Sequence, residues 1–552
     1  MTAPLDYTSH SGYRSGYVKV TQNKGRTETE EYNFNNAYLN QTHDYVYETD
    51  SSGEIYPDNR VVQLKFKRNK SDSTPYETLK YNYDELGRVT HRYLIGQNTS
   101  GNYFRDIYSY KARNARNSCN CVYQEGTTNY LSSIQYRCGS VSGTEFVDYD
   151  KNGNIIKIQD GLKVTTYSYD SLNRLIGEEN GFIGKNYFYS YDADGNLKEV
   201  YTKANTSEAW EKREVYNYSS TNVNQLISIT EYDLTNNTSQ VKSIASSYDG
   251  MGNPQSYRGQ PLSWKRGRVL FAYGTTQYKY DGNNIRTEKI IGNEKHDYYT
   301  VGGQILGEVV TSRSEVNRYR YVYEGEKIIA LIKNNSEYYY YQYGVSGNIE
   351  RICNADGSIA AKYAYDAWGN CRIYTSSGLD ITENSDYNNH IGRINPFRYK
   401  SYYFDIDTGY YYLQSRYYDP QARRFINADN VGVITDDYLT TLGGQNLYSY
   451  CLNNPVNSYD PTGHSLVAVI SLLIALIALG FAIYGLVESA IAFYKEPSWL
   501  NLLFLVVAVV DVVMSVIAVC QAFTALMTAI KDVGAKKVLM DSAKQANGQP
   551  KS

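Results

Sequence analysis

The stretch Tyr189-Ser-Tyr-Asp-Ala-Asp-Gly-Asn-Leu197 decides the fold, because close copies of it recur along most of the chain. The clearest other copies are Tyr81–Val89, Val147–Ile155, Tyr167–Leu175 and Tyr363–Asn370. From Asp150 to Asp170 and on to Asp192 the steps are 20 and 22 residues. A period of about twenty residues is too short for a pair of helices and is typical of one two-stranded unit per copy.

Each copy of this phrase predicts a β-hairpin. Side chains alternate along a strand, so the two tyrosines of Tyr-x-Tyr lie on one face. The aspartate that follows accepts hydrogen bonds from amides ahead of it, and the Gly or Asn three residues later tolerates positive φ. Tyrosines on neighbouring strands pair at about 0.2–1 kcal/mol each, and the chain holds 61 of them. We therefore predict a very long antiparallel sheet built from successive hairpins.

These phrases resemble the YD repeats of Rhs, bacterial toxin-complex and teneurin proteins, over roughly residues 30 to 464. The resemblance implies a mainly β fold in which residues 1–394 form a spiralling antiparallel hairpin shell that encloses a cavity. Length points the same way, because 552 residues are too many for one ordinary core and no Pro- or Ser-rich linker divides the first 460 residues. A continuous sheet closed around a cavity resolves that difficulty.

A second kind of sequence segment, residues 395–464, follows the repeats and is called the core block here. It resembles the Rhs repeat-associated core, and the resemblance rests on Arg398, Gly409, Arg416, Tyr417, Tyr418, Asp419, Arg424, Phe425, Asp429, Asn454, Pro455, Asp460, Pro461 and Gly463. In that family the block closes the end of the shell. In many members a pair of aspartates also cuts the chain just after the Asp-Pro-x-Gly phrase.

The resemblance makes Asp429 and Asp460 the candidate catalytic pair, with Arg424 as their electrostatic partner and the cut near Gly463 and His464. Two carboxylates held close cannot both ionise comfortably, so one stays protonated as an acid while the other activates water. An arginine beside them would lower the pKa of one carboxyl and polarise the scissile carbonyl. Self-cleavage is the one enzymatic activity that the sequence suggests.

Three positions depart from the family pattern. Arg423 stands where the family usually has Gly, Asn430 stands where it has Pro, and His464 replaces a large aliphatic residue. A structural interpretation also remains open, because Asp419 and Asp460 both precede proline and such pairs commonly form turns.

Residues 465–552 have a different composition. Two long apolar stretches within them contain a single charged residue, Asp511. Each exceeds the roughly 20 residues that span a bilayer core. We predict transmembrane helices at about 466–487 and 500–530, joined through Pro497 as an α-helical hairpin. A buried soluble helix pair is the alternative, but the first stretch lacks the polar stripe that such helices carry.

Charge and cysteine content exclude several classes of function. The net charge of −3 gives no general attraction to nucleic acid. The three closest thiols, Cys119, Cys121 and Cys138, lack zinc-site spacing, and an odd number of scattered cysteines argues against a disulfide-stapled scaffold. We expect no cofactor and no metal. The first residues lack the features of a signal peptide, so we expect a fragment of a longer protein, with N-terminal delivery partners elsewhere, or export by a dedicated machine.

Two functional hypotheses follow. In the first, the chain is a Rhs-type polymorphic toxin that is delivered to a competitor, where the released tail inserts into the lipid bilayer and forms a pore or depolarises the membrane. A cognate immunity protein is then expected as a partner. In the second, the tail anchors an uncut YD-repeat protein in the membrane of the producing cell, and the shell binds partners at the surface. The absence of a signal peptide counts against such outward display.

Overall fold

In the computed structural model, the described residues are 17–463 except 24–25, 35, 50–59, 69–70, 97–103, 117–121 and 430–445. They form sheets of 17, 13 and 4 strands. The predicted mainly β fold is confirmed, with the large antiparallel sheets expected of a β-rich shell. The helices predicted at about 466–487 and 500–530 lie outside the described residues. Within the described part of the chain, no helix is long and apolar enough to cross a bilayer.

In the first sheet every strand pairs antiparallel with the next one along the chain. Its strands are β1 (Tyr17–Asn23), β2 (Arg26–Asn33), β3 (Gln41–Tyr47), β4 (Val61–Lys67), β5 (Glu77–Tyr83), β6 (Val89–Gly96), β7 (Phe104–Arg116), β8 (Val122–Cys138), β9 (Val141–Tyr149), β10 (Ile155–Asp160), β11 (Lys163–Tyr169), β12 (Leu175–Asn180), β13 (Lys185–Tyr191), β14 (Leu197–Ala204), β15 (Lys212–Tyr218), β16 (Leu226–Asp233) and β17 (Thr238–Ser243).

The second sheet has the same order. Its strands are β18 (Ser256–Tyr257), β19 (Gln260–Lys265), β20 (Val269–Tyr273), β21 (Thr276–Tyr280), β22 (Arg286–Ile291), β23 (Glu294–Val301), β24 (Gln304–Thr311), β25 (Val316–Glu324), β26 (Lys327–Lys333), β27 (Glu337–Tyr343), β28 (Ile349–Asn354), β29 (Ile359–Tyr365) and β30 (Cys371–Thr375). The core block forms the third, with β31 (Tyr403–Asp405), β32 (Tyr410–Leu413), β33 (Arg416–Asp419) and β34 (Arg424–Phe425). Among the described residues, the helical elements are α1 (Ile391–Ile394) and 3-10 turns at Ala37–Leu39, Ser385–Tyr387, Tyr399–Ser401 and Cys451–Asn453.

The aspartate of the Tyr-Asp phrase forms the turn that its sequence predicts. Asp192 accepts the amides of Asp194 at 3.0 Å and Asn196 at 2.8 Å, and the Asn196 side chain donates to it at 3.0 Å. Gly195 lies between them at φ +73°, where a side chain would be strained. The same pair of amide bonds recurs at Asp84, Asp150, Asp170, Asp249, Asp281 and Asp366.

The tyrosine hydroxyl of the phrase has a role that the sequence did not reveal. Tyr191 ends β13, and its hydroxyl donates at 2.6 Å to the carbonyl of Leu175, which begins β12. This bond joins two successive strands beyond the end of their ladder. Equivalent bonds run from Tyr83 to Val61, Tyr110 to Val89, Tyr169 to Ile155, Tyr218 to Leu197, Tyr248 to Leu226 and Tyr365 to Ile349.

Tyr191→Phe is expected to lower the free energy of unfolding by about 1 kcal/mol, the net value of one such hydrogen bond. Urea unfolding followed by tyrosine fluorescence measures the loss. The control is Tyr232→Phe, since the half-buried Tyr232 ring lies beside Arg213 and no hydroxyl bond is seen for it among the described residues. Equal losses in the two variants would contradict a special role for the repeat hydroxyl.

One of the apolar clusters that join the first two sheets lies between β4–β8 and β25–β28. Its buried members are Leu64, Phe66, Tyr76, Leu79, Leu94, Phe104, Cys138, Val322, Ile329, Ala330, Ile332, Tyr340 and Cys353. Within it, Cys138 of β8 and Cys353 of β28 form a disulfide across 215 residues of sequence. The sequence analysis argued against a disulfide-stapled scaffold and did not predict this single pair, because sheet packing brings together cysteines that no sequence spacing connects.

A candidate cleavage site at the end of the core block

The turn between β32 and β33 holds the last described residues of the core block. Leu413 pairs with Arg416 across this hairpin, which leaves Ser415 at its tip. The Ser415 amide donates to the carbonyl of Thr462 at 3.1 Å, and the Ser415 hydroxyl donates to the same oxygen at 2.8 Å. The chain is thereby bound one residue before Gly463.

Asp460 organises the Asp-Pro-Thr-Gly phrase into a turn. Its Oδ1 accepts the Gly463 amide at 2.9 Å and the Thr462 amide at 3.3 Å. Its own amide donates to the Tyr402 hydroxyl at 2.7 Å. Burial raises the pKa of Tyr402 well above its ordinary value, so this hydroxyl stays protonated. The carboxyl of Asp460 therefore lies directly beside the residue after which cleavage is predicted.

Arg416 joins this carboxyl to the carbonyl of Gly463. Its Nε donates to the Gly463 oxygen, and its terminal nitrogen lies 3.5 Å from Asp460 Oδ2. Its guanidinium also lies over the Phe425 ring, 3.5 Å from the centroid. Arg416 and Asp460 are 4% and 3% exposed, so the interaction is only weakly screened by water. A guanidinium so placed polarises a carbonyl and stabilises the oxyanion formed on attack.

Gly463 is required by this geometry. Its φ is +68°, and a Cβ at this position would lie 2.6 Å from the Leu413 carbonyl oxygen and 2.7 Å from Ser415 Oγ. Any other residue would push the turn away from β32 and β33.

The other predicted site residues lie in different surroundings. A terminal nitrogen of Arg424 donates to the Asn224 carbonyl at 2.5 Å, and its guanidinium lies over the Tyr448 ring. The chain separates into two compact units, residues 1–428 with 448–463 and residues 429–447 with 464–552. Asp429 belongs to the second unit, where its amide donates to Leu447, and His464 lies outside the described residues. The pairing of Asp429 with Asp460 thus stays a prediction.

At the Gly463 carbonyl the structure places Arg416 where the sequence analysis had named Arg424, and this contact joins residues 47 apart in the chain. Three residues of the site were missed as functional: Arg416, which had only marked the resemblance, Ser415 and Tyr402. The one sequence signal for Arg416 is its place in the Arg416–Asp419 run that marks the resemblance, and that run does not indicate a contact with Gly463.

Arg423 explains one departure from the family pattern. Its φ is +60°, a backbone conformation that favours glycine, which is the residue that the family usually has there. The Arg423 guanidinium pairs with Glu214 of β15 at 2.9 Å and donates to the Tyr216 hydroxyl. These buried contacts offset the backbone strain and join the core block to the first sheet.

Comparison with known proteins gives partial matches, and no family model matches the chain. The tRNA3(Ser)-specific nuclease WapA of Bacillus spizizenii is 30% identical over 327 residues, which is 57% of this chain and 12% of WapA. Toxin protein Tse5 of Pseudomonas aeruginosa is 38% identical over 85 residues, which is 15% of this chain and 5% of Tse5. The chain therefore spans a small part of the length of these relatives.

The fold has a match among solved structures. A chain in the crystal structure of TcdB2-TccC3 superposes with a TM-score of 0.53 at 18% identity, covering 81% of this chain and 24% of the matched one. At this identity the match concerns the fold. The homologues of this chain thus include toxin proteins, and its β-sheets share the fold of a Tc toxin shell.

Proposed function

We propose that the chain is part of a Rhs-type polymorphic toxin, whose shell encloses a membrane-active C-terminal tail and frees it by self-cleavage after Gly463. One observation carries the cleavage part: Arg416 binds the carbonyl of Gly463 while Asp460 accepts its amide. The relatives named as toxins and the shared shell fold support the toxin part. The apolar composition of residues 465–552 supports a tail that acts on a bilayer.

The proposed reaction is hydrolysis of the peptide bond between Gly463 and His464. One carboxylate takes a proton from water while the water oxygen attacks the Gly463 carbonyl carbon, and Arg416 stabilises the resulting oxyanion. A second, protonated carboxyl donates its proton to the leaving nitrogen of His464 as the bond breaks. Asp460 supplies one of these groups, and Asp429 is the proposed other.

Cleavage is tested on the purified full chain by denaturing electrophoresis and N-terminal sequencing. The proposal expects a fragment beginning at His464, accumulating without added protease. A single full-length band that persists on incubation would reject it.

A second function, a membrane-anchored YD-repeat binding protein with no cleavage, is favoured by the turn itself. The bonds from Asp460 Oδ1 to the two amides are those of an ordinary turn-forming aspartate. The same gel separates the two proposals, because an anchored protein keeps shell and tail joined.

Inducing residues 465–552 inside bacteria is expected to depolarise the membrane and stop growth, read with a potential-sensitive dye. The matched control is Leu473→Arg, because an arginine at the centre of a membrane span costs about 2.5–3.5 kcal/mol. If the unmodified tail leaves potential and growth unchanged, the membrane-active tail is excluded, whatever the outcome of the cleavage experiment.

A further inference from the structure

Two acidic side chains meet where the first and second sheets pack against each other. Glu145 lies on β9 and Glu350 on β28, and the two carboxyls lie close together beside Gly344. Glu145 Oε2 also accepts the amide of Val345 at 2.5 Å, and a terminal nitrogen of Arg351 lies 3.1 Å from Glu350 Oε2. We call this contact of β8 and β9 with β28 the seam.

Gly344 makes room for the two carboxyls. A Cβ at this position would lie 1.9 Å from Glu350 Oε1 and 2.9 Å from Glu145 Oε2. Because Gly344 has no side chain, both carboxyls fit beside it, and the pair is an integral part of the contact between the sheets.

Carboxyls outnumber guanidiniums around the pair, so a proton shared between Glu145 and Glu350 reduces the excess of negative charge. Arg351 also pairs with Asp160 of β10 at 2.6 Å, and the Tyr136 hydroxyl donates to Asp160 at 3.0 Å. Three carboxyls thus face one guanidinium, and the hydroxyl of Tyr167, whose pKa is raised by burial, is a further titratable neighbour. Burial, followed by the charge of Glu350, raises the pKa of Glu145 well above its usual range, and burial raises the pKa of Glu350.

The Cys138–Cys353 disulfide crosses the same seam, with both cysteines 0% exposed. Next to it the two sheets touch backbone to backbone, since a Cβ on Gly139 would lie 2.6 Å from the carbonyl oxygen of Gly357. A reductant therefore reaches the sulfurs only after the seam separates.

We propose that the Glu145–Glu350 pair and the Cys138–Cys353 disulfide form a two-part latch between the sheets, in which loss of the shared proton exposes the disulfide to reduction. The proposed sequence of events is that two charged carboxylates repel each other across the seam, the seam opens, and the sulfurs become accessible. Release of the shell wall then needs both a pH above that of acidic compartments and a reducing environment. This latch does not depend on the cleavage proposed above.

The pH dependence has a definite sign. Carboxyls whose pKa is raised in the folded chain bind their proton more tightly there than in the unfolded chain. The seam is therefore most stable at pH below their unfolded pKa and weakens as pH rises toward the folded value.

The test measures how fast the disulfide of the full-length oxidised chain is reduced by a water-soluble phosphine. In that reaction the S–S bond breaks, the phosphorus is oxidised to a phosphine oxide with oxygen from water, and both sulfurs become thiols. Maleimide labelling counts the thiols at about pH 5 and about pH 8. At each pH the rate for the native chain is divided by the rate for the denatured chain, which corrects for the pH dependence of the reagent itself. The expected corrected rate is about tenfold higher at the upper pH.

Glu145→Gln removes the shared proton and keeps a hydrogen bond to Glu350, so its corrected rate is expected to be nearly equal at the two pH values. The matched control is Glu178→Gln. The pKa of Glu178 is also raised by burial, to about 8, but this residue lies at Tyr189 and Ala367, away from the seam, and the variant should keep the tenfold ratio. A pH-independent rate in the native chain, an unchanged ratio in Glu145→Gln, or free thiols at both cysteines of the oxidised protein would each overturn the latch.

Discussion

Replacing Arg416 with glutamine is expected to lower the rate of self-cleavage after Gly463 by about 10²–10³-fold, the effect of removing one oxyanion-stabilising donor. Glutamine is too short to reach both the Gly463 carbonyl and Asp460, which Arg416 now contacts together. The measurement is the first-order rate at which the fragment beginning at His464 appears on a denaturing gel. Asp460→Asn, which keeps the turn but cannot exchange a proton, is expected to abolish the fragment.

Two further variants make this result interpretable. Arg372→Gln removes an arginine that pairs with Asp380 at 2.8 Å on the second sheet, and it should cleave at the native rate. Arg424→Gln decides between the two arginines, because Arg424 donates to the Asn224 carbonyl and lies over the Tyr218 and Tyr448 rings. Loss of cleavage in Arg424→Gln together with native cleavage in Arg416→Gln would show that Arg424, and not Arg416, is the electrostatic partner in cleavage. Circular dichroism confirms that each variant retains its β-sheets.

Asp405→Asn is expected to destabilise the chain by about 3–5 kcal/mol, because it leaves buried cations without their partner. Asp405 lies on β31 of the core block, is 0% exposed, and contacts Arg286 and Lys289 of β22, the latter at 2.9 Å. Arg286 is 0% exposed and lies within 6 Å of the centroids of five rings, those of Tyr278, Tyr298, Tyr403, Tyr412 and Tyr417. Water cannot replace the lost carboxylate in such surroundings.

Asp407→Asn is the matched control for this pair. Asp407 contacts Lys289 at 2.7 Å but is 18% exposed, so its loss is expected to cost about 1 kcal/mol or less. Thermal unfolding and protease resistance of the core block measure both variants, and equal effects would contradict the importance of burial. Burial alone would raise the pKa of Asp405, but the positive charges of Arg286 and Lys289 hold this pKa below its ordinary value. The pair therefore stabilises the fold at neutral pH, and that stability is lost as pH falls through the lowered pKa.

The local hairpin structure could be predicted from the sequence alone. The Tyr-Asp phrase predicts a strand, a turn and a second strand because all the groups involved lie within four residues of Asp192 and its counterparts. Repetition of the phrase then leads to a long antiparallel sheet, since each hairpin pairs best with its neighbour. The core block and the apolar tail were likewise recognisable, because both depend on composition or on a contiguous phrase.

The contacts on which the proposals rest depend on tertiary packing. Arg416 meets Gly463 across 47 residues, the Val345 amide meets Glu145 across 200, and Cys138 meets Cys353 across 215. No local pattern encodes such distances, because the hairpin phrase specifies how a strand pairs with the next one and leaves open which faces of the sheets come together. That choice depends on burying the apolar faces against each other, and it alone decides which arginine reaches the Gly463 carbonyl and which carboxyls meet.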